Sequence, residues 1–213
     1  MPKCAHYRFV KGGIAVWRIE ESSDVLYGLL ATHKYDAQLA EKKHEGRRAE
    51  WLAVRLLVAQ VLGADKEVAY HPSGCPCLTD GSFYISISHT KDYAALAYHA
   101  EKKIGVDVEY VSSRVERIAH RFTSAEETAY IEPMNENDRM MCHLINWSAK
   151  ETLYKLVDDP VAADFRAAFF VHPYRWSGEG VLHAEVLIPQ ARRVNLHYML
   201  HPDYVCTWAV DEE

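Results

Sequence analysis

The sequence predicts an α+β fold built from two similar halves. A helical segment containing Trp51-x-Ala53-x-Arg55 is followed further along the chain by the segment His89–Tyr93, which ends in Asp-Tyr. A second helical segment, containing Trp147-x-Ala149-x-Glu151, is followed in the same way by His201–Tyr204, which also ends in Asp-Tyr. No low-complexity linker separates the halves, so we expect them to be tightly joined. The repeat alone does not establish a duplication.

The composition is that of an ordinary globular protein. The chain has 213 residues, of which 49% are hydrophobic and 25% charged, and this is enough for a substantial core. No apolar run approaches membrane-spanning length, and Met1–Cys4 does not begin a signal peptide, so we expect a cytoplasmic protein without membrane association. A net charge of −6 argues against a nucleic-acid-binding surface. Docking of an acidic partner would require a local basic or apolar patch.

Turn and capping residues mark the elements of the N-terminal half. We predict a hairpin over His6–Ile19 that turns at Lys11–Gly13, a helix capped by Ser23-Asp24 and running to Leu30, a helix over Arg47–Leu62 ended by Gly63, and strands over Ser82–Ser88 and Asp92–Tyr98. The apolar stripe of the second helix runs through Trp51, Val54, Val58 and Val61. Arg48 and Arg55 lie off that stripe.

The C-terminal half begins with a strand over Lys103–Glu109. Thr123–Glu126 has capping-box spacing and starts a helix that ends near Pro133. Asn137-Asp138 caps a long helix that reaches Val157. The remainder is rich in β-forming residues, and we predict strands over Phe165–Val171, Val181–Ile188, Val194–Leu200 and Tyr204–Val210.

Two segments of this half indicate a metal site. On a strand, alternate side chains share a face, so Asp107 and Glu109 form a pair of carboxylates, which we expect on a solvent-facing surface. On a helix, residues four apart share a face, which groups Glu151 and Lys155 with Trp147. A third carboxylate packed across the strand would complete an oxygen-rich site suited to Mg²⁺. The alternatives are a solvated edge strand and an ordinary helical ion pair between Glu151 and Lys155.

The two segments together resemble the two signatures of the Sfp-type 4′-phosphopantetheinyl transferases. The residues that carry the resemblance are Gly105–Glu109 and Trp147–Lys155, and the similarity extends from about Arg47 to the C-terminus. The resemblance implies a pseudo-dimer of two α+β halves, each with an antiparallel sheet packed on a long helix, and an active site in the cleft between them. It places coenzyme A nucleotide contacts in residues 1–101, and the metal site and long helix in residues 102–213.

The resemblance also implies roles for individual residues. Asp107, Glu109 and Glu151 would bind Mg²⁺. Glu151, or a water that it orients, would be the base for the carrier serine, and Lys155 would neutralise phosphate charge. Lys150 would be a further phosphate contact. Trp147 and Tyr154 are interpreted as packing residues that fix the helix.

Further coenzyme contacts are implied in the N-terminal half. Ser88-His89-Thr90 matches a Ser-His-Ser segment of the family, so Ser88 and His89 would contact coenzyme A phosphate. Arg47 and Arg48 open a helix of the type whose arginine contacts the nucleotide 3′-phosphate, with Lys42 and Lys43 as weaker candidates. Solvated surface charges are the alternative for both arginines. The family often has Gly-Lys-Pro where this chain has Gly74-Cys75-Pro76, so one basic contact is missing.

These implications combine into a hypothesis about function. The protein is expected to be a monomeric, Mg²⁺-dependent transferase that moves 4′-phosphopantetheine from coenzyme A to a serine of an apo acyl or peptidyl carrier protein, releasing 3′,5′-ADP. One rival is a non-catalytic module of the same fold that binds coenzyme A or a carrier protein. A second rival is a metal-dependent phosphohydrolase, which the lack of a histidine-rich or two-metal pattern disfavours.

Overall fold

The chain forms two compact units, residues 1–101 and 102–213, each of mixed α+β composition. The structure, a computed structural model, describes residues 4–30 and 32–212. Residues 1–3, on which the expectation of no signal peptide depends, lie outside the described residues. None of the described helices combines the length and the apolar character that crossing a bilayer requires.

The first unit is built on a four-stranded antiparallel sheet with the order β1-β2-β6-β5. Its elements are β1 Cys4–Phe9, β2 Gly12–Arg18, α1 Ser23–Leu30, α2 Asp36–Ala40, α3 Glu45–Val61, β3 Val68–Tyr70, β4 Pro76–Leu78, β5 Tyr84–Thr90 and β6 Tyr93–His99. Helix α3 packs on β2 and β6 and buries Leu52 and Leu57 against Trp17 and Leu96. Strands β3 and β4 form a separate two-stranded ribbon.

Two boundaries in this unit differ from those predicted. The hairpin turns at Val10-Lys11, and Gly12 and Gly13 belong to β2, where an added Cβ would lie 2.5 and 2.6 Å from atoms of Tyr98. Both glycines are therefore required by close packing rather than by the turn. Helix α1 is capped one residue earlier, because the carbonyl of Ser22 accepts from the N–H of Leu26.

The second unit is built on a five-stranded antiparallel sheet with the order β7-β11-β10-β9-β8. Its elements are β7 Ile104–Tyr110, α4 Arg114–Phe122, α5 Ala125–Ile131, α6 Glu136–Val157, a 3₁₀ turn Pro160–Ala163, α7 Phe165–Ala168, β8 Phe169–Val171, β9 Glu179–Val186, β10 Arg192–Leu200 and β11 Tyr204–Val210. Alternate residues of β9 and β10, such as Leu182 and Leu196, are buried with Ile145 and Leu153 of α6.

Local hydrogen bonds set the boundaries that the sequence placed wrongly. The capping box joins Ser124 to Glu127, not Thr123 to Glu126. Helix α6 begins after Asn135, whose side chain accepts from the N–H of Asp138, so the predicted cap at 137–138 was two residues late. The predicted strand over 165–171 starts as the short helix α7, because Asp164 caps it by accepting from Arg166.

Helix α6 lies unusually close to strands β7 and β11. A Cβ added at Gly105 would overlap the carbonyl oxygen of Thr152, so glycine is required at this crossing. The hydroxyls of Ser148 and Thr152 lie 2.9 and 2.7 Å from Oγ1 of Thr207, and Thr152 also donates to the Thr207 carbonyl at 3.1 Å. These buried contacts fix the rotation and the height of α6 over the sheet.

Candidate active site

Strand β7 turns Gly105, Asp107 and Glu109 toward α6, and Asp107 is buried there. Its exposed fraction is 3%, so the expectation of a solvent-facing carboxylate was wrong. The ammonium Nζ of Lys155 donates to Oδ1 of Asp107 at 2.8 Å and to the carbonyl of Val106 at 3.0 Å. A charged group can be held in this position because an opposite charge and a hydrogen bond offset its loss of hydration.

Glu109 and Glu151 share the electrostatic environment of Asp107. Burial, followed by the negative charge of Asp107, raises the pKa of Glu109 to about 7, while a hydrogen bond from Trp147 opposes the shift. The same two causes, in the same order, raise the pKa of Glu151 to about 7, and Lys155 opposes that shift. The structure therefore brings the three carboxylates of β7 and α6 together around one lysine.

The donor chemistry of this group fits a hard divalent cation. In the part of the chain that the structure describes, no three histidine, cysteine, aspartate or glutamate side chains are already arranged to hold a metal ion. The carboxylates nevertheless supply the oxygen ligands that Mg²⁺ prefers. Burial and then repulsion from Asp107 raise the pKa of both glutamates, and a cation would relieve the repulsion. The residues present are thus chemically suited to Mg²⁺.

Lys150 does not face this site, which corrects its assignment as a phosphate contact. Its side chain is fully buried, and Nζ lies 2.7 Å from Oε2 of Glu127 and 2.7 Å from the carbonyl of Phe122. Glu127 in turn accepts from the N–H groups of Ser124 and Val171. The ammonium is committed to the interior, so Lys150 is a structural residue.

The first unit contains an open pocket of about 580 Å³ that gathers several of the proposed coenzyme contacts. It is lined by residues of α3 and β5 and of the segments on either side of them, including Lys42, Lys43, Arg47, Glu50, Trp51, Arg55, Tyr70, Gly74, Pro76, Ile87 and His89. Oε2 of Glu50 lies 3.4 Å from Nη1 of Arg47 and 3.3 Å from Nδ1 of His89. Glu50 thereby orients a cationic side chain and an imidazole on one wall.

Two predicted contacts do not line this pocket. Along β5, Ile87 and His89 face it, whereas Ser88 points to the opposite side of the strand and is buried. Arg48 is not among the residues that line the pocket, and its Nε is buried without a hydrogen-bond partner among the described residues. Of the four predicted coenzyme contacts on α3 and β5, Arg47 and His89 therefore line the pocket, and Arg48 and Ser88 do not.

Arg55 belongs to the pocket, although no functional role was predicted for it from the sequence. Its guanidinium carbon lies 3.6 Å from the centre of the Trp51 ring, and only 3% of the residue is exposed. Burial lowers the pKa of this guanidinium. Among the described residues it forms no ion pair. The spacing of Arg47, Trp51 and Arg55, four residues apart along one helix, was the signal that could have identified it.

The class of protein is indicated by three features of the second unit. They are the acidic strand β7, the long helix α6 above it, and the ion pair between the buried Asp107 and Lys155. The model of the 4′-phosphopantetheinyl transferase superfamily matches residues 103–209, which span β7 to β11. The chain belongs to this superfamily.

Characterised relatives carry names from the same superfamily. The chain is 29% identical over 123 residues to the 4′-phosphopantetheinyl transferase AcpT of Salmonella typhimurium, covering 56% of this chain and 64% of AcpT. It is 24% identical over 180 residues to the 4′-phosphopantetheinyl transferase HetI of Nostoc sp., covering 76% of each chain. The matched region therefore spans less than two thirds of the length of AcpT.

Proposed function

We propose that this protein transfers 4′-phosphopantetheine from coenzyme A to a serine of an apo acyl or peptidyl carrier protein, in an Mg²⁺-dependent reaction. The observation that carries the proposal is the grouping of Asp107, Glu109 and Glu151 around Lys155. It lies within the region that the superfamily model matches. The names of the relatives add support for the reaction class.

The chemistry follows from the charges of the second unit. Mg²⁺, held by Asp107, Glu109 and Glu151, would neutralise the pyrophosphate of coenzyme A. The carrier serine Oγ forms a bond to the β-phosphorus, and the bond from that phosphorus to the bridging oxygen breaks, so 3′,5′-ADP leaves with the electron pair. Glu151, or a water that it orients, takes the serine proton.

Lys155 has a separate task in this scheme. Its ammonium lies beside Asp107 and is a quarter exposed, so it can reach a phosphate oxygen while remaining anchored to the strand. Positive charge at this point stabilises the charge that develops on the phosphates during displacement. The contribution of Lys155 is therefore expected mainly in the transition state.

The pocket of the first unit supplies the proposed nucleotide contacts. Arg47 and Arg55 offer planar guanidinium groups, which bind phosphate through two parallel hydrogen bonds. A buried guanidinium without a carboxylate partner, as at Arg55, gains most from a bound anion. Lys42 and Lys43 line the same pocket, and we assign them the charge that a lysine at Cys75 would have given. Arg48 and Ser88 are no longer assigned to the coenzyme.

The proposal is tested by incubating the protein with coenzyme A, Mg²⁺ and a panel of apo acyl and peptidyl carrier proteins, followed by intact-mass measurement. We expect one phosphopantetheine group on the serine of at least one carrier. Glu151→Gln is the matched inactive variant, because it keeps the shape of the side chain and removes its charge. Its turnover should fall by orders of magnitude, and part of its coenzyme affinity should survive.

The rivals predict different results in the same experiment. Wild-type protein that binds coenzyme A tightly and modifies no carrier in a broad panel would identify a binding module. Release of free phosphopantetheine and 3′,5′-ADP without any carrier would identify a phosphohydrolase. Either result contradicts the transferase proposal.

A further inference from the structure

We propose that Trp147 is a positioning residue that commits one oxygen of Glu109 and leaves the other for the metal ion, and that it thereby favours Mg²⁺ over Ca²⁺. The inference rests on the proposed metal role of Glu109. It assigns to Trp147 a function beyond packing, since this residue was expected only to pack and so to fix the helix.

A single hydrogen bond carries the inference. The indole Nε1 of Trp147 donates to Oε1 of Glu109 at 2.7 Å. Among the described residues it is the one direct hydrogen bond that the Glu109 carboxylate makes. The donor belongs to α6, one helical turn before Glu151, and the acceptor belongs to the end of β7. The bond therefore joins the two elements that supply the three carboxylates.

The donor is held rigidly by its aromatic neighbours. The Trp147 ring packs against Phe122 and Phe165, with ring centres 5.1 and 5.6 Å apart, and Phe165 packs in turn on Phe169 at 5.5 Å. A hydrogen-bond donor fixed in this way orients a metal-binding carboxylate without touching the metal. The aromatic contacts do not involve the N–H group, so the two contributions of the residue can be separated by substitution.

The expected consequence is selectivity for the smaller cation. The bond occupies one lone pair of Oε1 and fixes the plane of the carboxylate, so Glu109 is disposed to offer a metal the other oxygen rather than both. Mg²⁺ demands a compact octahedral shell and is served by single carboxylate oxygens, whereas Ca²⁺ takes six to eight oxygens and accepts bidentate carboxylates. Loss of the indole N–H would let Glu109 rotate and present both oxygens. That change favours Ca²⁺.

The experiment compares Trp147→Phe with wild-type protein by calorimetric titration of Mg²⁺ and of Ca²⁺, in the presence of coenzyme A and without a carrier. Phenylalanine keeps an aromatic ring against Phe122 and Phe165 and removes the donor. We expect Mg²⁺ affinity to fall about ten- to a hundredfold, as for other residues that orient metal ligands, and Ca²⁺ affinity to change much less. Trp208→Phe, on the half-buried indole of β11, is the control and should leave both affinities unchanged.

A double-mutant cycle separates positioning from packing. In a Glu109→Ala background, Trp147→Phe should have little further effect on Mg²⁺ affinity, because the carboxylate that the indole orients is absent. A penalty that persists in that background overturns the inference. If Trp147→Phe unfolds the protein, β-(3-benzothienyl)alanine at position 147 keeps the ring size and replaces N–H by sulfur, and the same result is expected.

The outcomes distinguish this inference from the proposed function. Wild-type protein that binds no Mg²⁺ in the presence of coenzyme A contradicts the metal assignment and this inference together. Wild-type protein that binds Mg²⁺, with Trp147→Phe binding it equally well and with the same preference over Ca²⁺, overturns the role of Trp147 alone.

Discussion

Replacing Lys150 by methionine removes the positive half of a buried ion pair and tests whether this lysine is structural. The ammonium loses contacts of 2.7 Å to Glu127 and 2.7 Å to the Phe122 carbonyl, and a longer one of 3.4 Å to the Phe165 carbonyl. Glu127 keeps two backbone N–H donors, but its charge stays in the interior uncompensated. Both partners are about 1% exposed or less, so solvent offers no relief.

The expected loss of stability is large. Removing one partner of a buried ion pair costs about 3–5 kcal/mol. At about 2–4 °C per kcal/mol for a chain of this size, the melting temperature should fall by roughly 6–20 °C. Lys155→Met is the control five residues along the same helix, and because Lys155 is a quarter exposed it should cost less stability. Lys155→Met should instead abolish transfer.

Urea unfolding of the metal-free protein measures the loss of stability, and the intact mass of an apo carrier protein after incubation measures transfer. Calorimetric binding of coenzyme A to Lys150→Met tests whether Lys150 contacts the coenzyme. The double substitution Lys150→Met with Glu127→Gln should cost less than the sum of the single changes, because the uncompensated charge is gone. A Lys150→Met variant that is as stable as wild type and has lost coenzyme A affinity would refute this reasoning. It would restore Lys150 as a phosphate contact.

Two further predictions concern the coenzyme pocket and the dependence on pH. Arg47→Ala should weaken the binding of coenzyme A more than that of dephospho-coenzyme A, by about 1.5–3 kcal/mol or roughly ten- to a hundredfold. Arg48→Ala, the control, should change the affinity for either ligand little. Equal losses of affinity for both ligands in Arg47→Ala would show that Arg47 does not contact the 3′-phosphate. In the folded protein the pKa values of Glu109 and Glu151 are about 7, above the usual 4.5. Between pH 4.5 and 7 the native state therefore binds more protons than the unfolded state. The free energy of unfolding should consequently fall as the pH rises through this range. Urea unfolding with EDTA from pH 4.5 to 7 measures the slope, which should be shallower in Glu151→Gln; a flat profile in wild type would contradict the raised pKa values.

The strand and helix that carry the carboxylates could be predicted because their periodicities are simple. Period two pairs Asp107 with Glu109, and period four pairs Glu151 with Lys155. Strands β9, β10 and β11 lie within two residues of their predicted positions. Boundaries failed where a single side-chain hydrogen bond decides them. At α6, for example, Asn135 rather than the neighbouring Asn137-Asp138 finds a backbone donor.

Side-chain direction explains most of the errors at the candidate site. Ser88 and His89 are adjacent on a strand and face opposite sides, so a motif that includes both residues cannot place both side chains in one pocket. Lys150 was assigned to phosphate from the resemblance, and nothing local in the sequence indicates that its partner is Glu127 on another helix. The burial of Asp107 and of Arg55 depends on long-range packing, which a pattern of polar and apolar residues does not encode.

The close crossing of α6 over β7 has a consequence for how this protein can vary. Gly105 and Thr152 leave no room for a larger side chain at 105, and the hydroxyl contacts to Thr207 fix the helix at that height. Any change of spacing there would move Trp147 and Glu151 together, since both belong to the same rigid helix. Strand β7 and helix α6 can therefore be exchanged between related proteins only together. A chimera that imports α6 from a relative should import β7 and β11 with it, or the acidic group and its counter-ion will be out of register.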